Sequence, residues 1–430
     1  MSNKQWPKKK ISWLFDVIGS GTTPSASNEI FYNSPDMAWL NTGDLTDSYI
    51  EKTSKYVSQQ ALDEFSALTV FPKDSLVMAM YGATIGKLGI TKYETTTNQA
   101  CCVLAKPREV ITKYIFYWLL GHRAEIINLS QGGGQPNISQ GIIRNIRIAV
   151  PPVVLQNKIV TFIDKKFEET NHLINKKEKM IKLLEEQRQS IITEAVTKGL
   201  NPNVKMKDTG VEWIGGIPEH WEVTKIKYTT YVKGRIGWQG LKSDEFIDEG
   251  PFLVTGTDFI QGYINWETCY HISEERYNEA PPIQLQENDL LITKDGTIGK
   301  LAIVKEMPYK AILNSGVFVT RPFHNKYLSK YMYWLLSSTI FEKYIKFMET
   351  GSTIKHLYQE TFVNFSYPIP SIVEQTEILK YLDIKIGEID SIKSNLVKQI
   401  EKLKEYRQSL IYEAVTGKID VRDMELDLVR

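Results

Sequence analysis

The chain has 430 residues, 42% of them hydrophobic and 24% charged. That length and balance exclude a disordered chain and leave room for two or three globular domains. A formal net charge of +1 excludes a non-specific polyanion coater, which would be far more basic.

Charge is also even along the chain. Residues 1–150 hold 15 Lys and Arg against 12 Asp and Glu, and residues 201–370 hold 18 against 20. A nucleic-acid ligand would therefore be met by local patches. No apolar run is long enough to span a bilayer, so no membrane partner is expected. The N-terminal "MSNKQWPKKK" has no apolar stretch behind its lysines, so a cytoplasmic protein is expected. Cys101, Cys102 and Cys269 form no CxxC and are odd in number. Buried reduced thiols are expected, with no disulfide framework or zinc site.

In chain order, residues 75–81 and 85–91 read as strands around a turn at Gly82. "FYWLL" follows at 116–120, and then a polar, Gly-rich stretch, "SQGGGQPNISQ", at 130–140. Pro151-Pro152 precedes a long helix over about 154–198, with Gly199 as its stop. At 1.5 Å per residue this helix is roughly 65 Å long. "GLNPNVKMKDTGVEWIGGIPEHW" at 199–221 is a polar connection rich in Gly and Pro. Residues 289–294 and 297–304 read as strands around Asp295-Gly296, a hairpin signal. "MYWLL" stands at 332–336 and "TGSTIKHLYQE" at 350–360. Pro370 precedes a second long helix that Gly417 stops.

The second half repeats the first. "RQSIITEAVT" at 188–197 returns as "RQSLIYEAVT" at 407–416, an offset of 219 residues. The match runs without a gap from Pro151 to Thr197. A heptad seam explains its length. One copy carries Val160, Ile163, Phe167, Thr170, Ile174, Lys177, Ile181, Leu184, Arg188, Ile191 and Ala195. The other carries Leu379, Leu382, Ile386, Ile389, Lys393, Leu396, Ile400, Leu403, Arg407, Leu410 and Ala414. Neither helix can bury its seam alone, so each is expected to take its copy as partner. Ile181 and Ile400 are matched seam residues, and Thr170, Lys177 and Lys393 are polar interruptions of the kind that fixes register. The globular segments repeat more loosely: "GATIGKLGI" with "DGTIGKLAI", and "WLNTGDL" with "FLVTGTDF".

The expected fold is α+β, with two similar mixed α/β domains at opposite ends of a pair of long antiparallel helices. An internal pseudo-two-fold would relate the halves. The expected boundaries are 1–150 for the first domain and 151–199 for the first helix. The second domain with its linker takes 200–369, the second helix 370–417, and the tail 418–430.

These motifs resemble the specificity subunit of type I restriction–modification systems. "DTGVEWIGGIPEHWEV" at 208–223 is similar to that family's lead-in to a target recognition domain. "YGATIGKLGI" and "KDGTIGKLAI" resemble its mid-domain hairpins. "RQSIITEAVTKG" and "RQSLIYEAVTGK" resemble the ends of its spacer helices. The first half departs from the pattern: residues 1–10 keep only Trp6-Pro7 of the lead-in. The resemblance implies a non-catalytic subunit that reads a bipartite, asymmetric target on double-stranded DNA. It also implies two methyltransferase subunits docked on the helices, with restriction and motor subunits added. S-adenosylmethionine, ATP and Mg would sit on those partners and no cofactor on this chain.

Bottom-up reading of the residues agrees that catalysis is absent. "IAVPPVV" at 148–154 and "NEAPPIQ" at 278–284 lack the polar residue before Pro-Pro and the aromatic after it that adenine methylation needs. "GATIGKL" lacks the spacing and the Ser or Thr of a phosphate-binding loop. Six scattered histidines show no ligand spacing. The rival reading is a coiled-coil scaffold that binds only proteins, which leaves two complete globules without a task.

Candidate DNA contacts lie in polar loops with Gly, where backbone can approach a ligand closely. Gln131, Gln135 and Asn137 can read adenine, and Arg235 with Gln239 can read guanine and adenine. Thr353, Lys355 and His356 stand at the matching place in the second half. Lys87, Lys294 and Lys300, in the hairpins, suit phosphate. On the helices Arg188, Glu194, Arg407 and Glu413 recur at matched positions. They serve either ion pairs within the chain or docking of the methyltransferase subunits.

Overall fold

The computed structural model describes residues 6–130, 136–234, 241, 245–348, 356–422 and 424, and the counts given are of these. The chain forms two compact units. One is Met1–Lys177 with Val397–Arg430, and the other is Glu178–Leu396.

Two long helices, Val153–Lys198 and Ile372–Val415, each divide between the units. In the first unit Arg407 donates to Asn171 Oδ1 at 2.9 Å, and Lys177 donates to Gln399 Oε1 at 2.5 Å. In the second, Lys393 meets Glu185 at 2.7 Å and Arg188 meets Asp390 at 3.6 Å. Numbers rise along one helix as they fall along the other, so the pairing is antiparallel. The 219-residue offset carries Arg188–Asp390 onto Arg407–Asn171.

Burial follows the heptad spacing. Val160, Ile163, Thr170, Ile174 and Ala195 are buried on the first helix. Leu379, Leu382, Ile386, Ile389, Leu396, Ile400, Leu410 and Ala414 are buried on the second. The other seam positions, Ile181 among them, are half-buried. The polar interruptions are satisfied: the Thr170 hydroxyl donates to the Lys166 carbonyl at 2.6 Å, while Lys177 and Lys393 turn their ammonium groups to the partners named above.

Each unit carries a twisted sheet. In the first, five strands run in the order Phe15–Gly19, Cys101–Pro107, Leu76–Ala79, Leu88–Thr91 and Ser48–Ile50. In the second, six strands run Thr230–Gly234, Val317–Pro322, Leu290–Thr293, Leu301–Ile303, Tyr263–Ile264 and Phe259–Ile260. A three-stranded sheet joins each: Lys55–Val57, Met37–Leu40 and Thr95–Thr97 in the first, and Tyr270–His271, Ile247–Val254 and Ala311–Leu313 in the second. The strands around Gly82 and around Asp295-Gly296 are shorter than the sequence spacing implies. After Ala79 the backbone leaves its hairpin partner, and Met80 N–H donates to the Ala100 carbonyl. The second connection spans Lys294–Lys300 and is not a two-residue turn. Thr293 Oγ1 accepts from Lys300 N–H at 2.9 Å, and Gly299 sits at φ +81°. Gly86 takes φ +77° at the matching place; that left-handed conformation explains the shared glycine.

The globular part of each unit is held to the helices in the same way twice. Tyr114, on helix Thr112–Gly121, donates to the Val415 carbonyl at 3.4 Å, and Tyr331, on helix Ser329–Leu336, donates to the Val196 carbonyl at 3.2 Å. Lys113 pairs with Asp164 at 2.7 Å and Lys330 with Asp383 at 2.6 Å. Fully buried Gln156 and Gln375 accept from the N–H groups of Ile111 and Leu328 at 2.9 and 2.8 Å.

Trp6 and the strand after it pack as their counterparts in the second unit do. Strand Lys8–Lys10 pairs with Arg147–Ala149 as Glu222–Lys225 pairs with Ser366–Ile369. Trp6 lies against Gly417 as Trp221 lies against Gly199. All three cysteines are buried and free, with burial pushing each thiol up to about 12; they are inert at neutral pH.

Candidate nucleic-acid interface

Strand register decides which loops meet. In the second unit Gly234 pairs with Phe318, Thr293 with Val317, Ile292 with Leu301, and Val254 with Leu313. The segments that leave these strand ends therefore share one end of the fold. They are Thr255–Asp258, the Lys294–Lys300 connection and Asn314–Gly316. In the first unit Gly19 pairs with Val103, Ala79 with Cys101, Met78 with Leu88, and Leu40 with Thr97. The same end then gathers Ser20–Thr23, Asn41–Asp44, Met80–Lys87 and Asn98–Ala100.

The loop before each long helix joins this end. Asn137 bridges to Tyr81, and His356 bridges to Asp295. Ile138 N–H donates to the Met80 carbonyl and Leu357 N–H to the Lys294 carbonyl, both at 2.8 Å. Two stretches that the sequence offers separately, hairpin and polar loop, are thus one surface in each unit.

The candidate side chains have different surroundings. Asn137 is exposed. Lys87 is exposed, and its ammonium takes no hydrogen bond or ion pair among the described residues. Lys300 donates to the Gly256 carbonyl at 3.0 Å, with its ammonium 5.9 Å from the Phe259 ring centroid. Lys294 lies 5.1 Å from the Phe318 ring centroid. His356 Nδ1 bonds Asp295. Gln131, Gln135, Arg235, Gln239, Thr353 and Lys355 lie outside the described residues.

The helix candidates are engaged within their own units. Arg188 lies 5.5 Å from the Trp334 ring centroid in addition to its ion pair, and Arg407 lies 4.2 Å from that of Phe167. Burial holds the Arg407 pKa below its usual value. Glu194 is exposed, 3.8 Å from Lys198 one turn on. Glu413 contributes its carbonyl, which accepts from Lys418 N–H at 2.9 Å. Ile181 and Ile400 occupy the seam.

Sequence reasoning missed four residues on the first unit's surface: Thr23, Asn41, Asn98 and Gln99. Thr23 donates to Gln99 Oε1 at 2.6 Å, and Asn98 donates to Asn41 Oδ1 at 3.2 Å. The repeat of "WLNTGDL" in "FLVTGTDF" flags Asn41. Nothing in "TTTNQACC" flags Asn98 or Gln99.

Residues 3–183 and 218–402 match the family described as "Type I restriction modification DNA specificity domain". The chain belongs to that family. It is 24% identical to the type I restriction enzyme MjaVIII specificity subunit of Methanocaldococcus jannaschii, over 86% of each chain. It is also 24% identical to the MjaIX specificity subunit of that organism, over 98% of this chain and 95% of the other. Identity to the EcoBI specificity subunit of Escherichia coli is 22%, over 85% and 77%. Among solved structures the fold is similar to one described as "Structural basis underlying complex assembly and conformational transition of the type I R-M system" (TM-score 0.73, 14% identity, 97% and 100% covered). The HsdS subunit from Thermoanaerobacter tengcongensis gives a TM-score of 0.55 at 15% identity, with 97% and 98% covered. The doubled family match explains why the Tyr, Lys and Gln ties from globule to helix occur twice. Among the described residues, no group of His, Cys, Asp and Glu is placed to hold a metal, and no helix is long and apolar enough to cross a membrane.

Proposed function

We propose that this chain is the DNA sequence-recognition subunit of a type I restriction–modification complex. It reads a bipartite, asymmetric target on double-stranded DNA and directs adenine-N6 methylation or cleavage by its partners. Residues 1–150 and 200–369 serve as the two recognition domains. The helices at 151–199 and 370–417 set the gap between half-sites and dock two methyltransferase subunits, and 418–430 form a tail. Restriction and motor subunits complete the assembly, which carries S-adenosylmethionine, ATP and Mg. The chain supplies recognition and its partners supply chemistry.

One observation carries this reading. In each unit the hairpin, the loop before the long helix and the neighbouring strand ends converge on one surface, and the two surfaces share a backbone frame while their side chains differ. Two readers with one frame and different side chains suit two different half-sites. A scaffold that binds only proteins would not need such paired surfaces. The test is a methylome of cells that carry this chain with its methyltransferase subunit. N6-methyladenine at one bipartite motif, absent without this chain, is expected. No chain-dependent motif from a stable complex would refute the reading.

A further inference from the structure

Comparing the two units separates frame from reader. Asn98 and Asn314 hold equivalent places. Their N–H groups donate to the carbonyls of Leu40 at 3.0 Å and Val254 at 2.9 Å, tying each turn to the three-stranded sheet. Both side chains fold inward: Asn98 Oδ1 accepts from Ala100 N–H at 3.1 Å, and Asn314 Oδ1 accepts from Ser315 N–H at 2.7 Å. Asp44 and Asp258 are a second matched pair, accepting from the N–H of Asn41 at 2.9 Å and of Thr255 at 2.7 Å. These residues are alike in both units and spend their polar atoms inside the chain. Their hydrogen bonds hold the loop.

The next residue behaves differently. It is Gln99 in the first unit and Ser315 in the second. Gln99 is exposed, on the same sheet end as Asn137 and Lys87. Thr23 donates to its Oε1 at 2.6 Å. That bond engages the amide oxygen, and Nε2 makes no hydrogen bond among the described residues. A long side chain held by one hydrogen bond loses less rotamer freedom on binding than a free one.

We infer that Gln99 is a specificity-determining residue of the first unit, donating from Nε2 to a hydrogen-bond acceptor on a base edge, and that Thr23 is its positioning residue. This rests on the recognition reading above and adds the residue and the chemistry of the contact. In the major groove the acceptors within reach of such a donor are N7 and O6 of guanine, N7 of adenine and O4 of thymine. Ser315, shorter and at the matching place, gives the second unit a different reach.

The experiment uses the full complex of this chain with its methyltransferase subunits, methylating a DNA library randomised across both half-sites. Gln99→Ala is expected to lower the preference for the native base about tenfold or more at one position of one half-site, with every other position as in the wild type. Thr23→Val should relax the same position by a smaller factor, and Thr23→Ser should restore it. An unchanged preference profile for Gln99→Ala overturns the inference. So does an equal loss on all sequences, which would mark a backbone contact. A wild-type complex without preference at any position would instead overturn the recognition reading, before any variant is compared.

Discussion

Gln156 joins the first globule to the first long helix, and replacing it should show how much that joint contributes. It is fully buried. Its Oε1 accepts from Ile111 N–H at 2.9 Å, and its Nε2 donates to the carbonyls of Glu109 at 3.1 Å and Pro151 at 2.9 Å. Leucine would fill a similar volume and satisfy none of the three. Ile111 caps helix Thr112–Gly121, and its orphaned N–H costs about 1–3 kcal/mol. Glu109 is exposed, so water recovers its carbonyl, whereas Pro151 is buried and adds a smaller penalty. The expected loss for Gln156→Leu is about 3 kcal/mol, equivalent to a urea midpoint lower by roughly 1 M. Gln375 makes the same bonds in the second unit, so Gln375→Leu should lower that unit's transition and spare the first. Urea unfolding with hydrogen exchange read separately over the two units measures both. Midpoints of both variants within about 0.2 M of wild type would refute the reasoning.

Other expectations follow from the same geometry. Ile400→Asp puts a charge in the buried seam and should cost more than about 3 kcal/mol. Ile181→Asp, half-buried, should cost less; equal thermal shifts would deny the difference in burial. Lys87→Ala should weaken binding by a similar factor on every DNA sequence and reduce the salt slope by about 1; a change at one base only would make Lys87 a reader. His122 stacks on Trp118 with ring centroids 3.8 Å apart, and burial holds its pKa below the usual value. The unfolded chain then takes up the proton first, so this group costs stability as pH falls through about 6.5 towards the lower folded value. His122→Gln should flatten melting temperature against pH between about 7.5 and 5.5, and an unchanged slope would exclude His122 as the cause.

Much of the fold is legible in the sequence where one periodicity governs. The heptad spacing names positions that are buried or half-buried on both helices, but not Gln156, Ile159, Phe162, Ile192 or Val196, which are buried off that seam. Hairpin existence is legible as well. Its ends are not, because Met80 N–H is claimed by Ala100, in the turn before another strand. Thr293 likewise accepts across its own turn and lengthens the connection beyond Asp295-Gly296. The shared surface is the least legible feature. It depends on parallel pairings such as Leu253 with Ile312, which bring distant loops together without any local pattern. Trp6 shows the opposite case. Residues 1–10 keep only Trp6-Pro7 of the lead-in pattern, yet one indole against Gly417 and one three-residue strand are enough to keep its packing.

The division of the chain sets an order of events during synthesis. The second unit is one continuous stretch, Glu178–Leu396, whereas the first needs both Met1–Lys177 and Val397–Arg430. Tyr114 accordingly bonds Val415, 301 residues later, and Val421 is buried in the first unit. A ribosome therefore releases everything the second unit needs while the first still lacks Leu410, Ile411, Ala414 and Val415 from its core. Folding by domain as the chain emerges then completes the later-encoded unit before the earlier one. A premature stop in the last thirty or so codons would leave the N-terminal unit, whose own sequence is intact up to Lys177, as the casualty, and a protease would find it first.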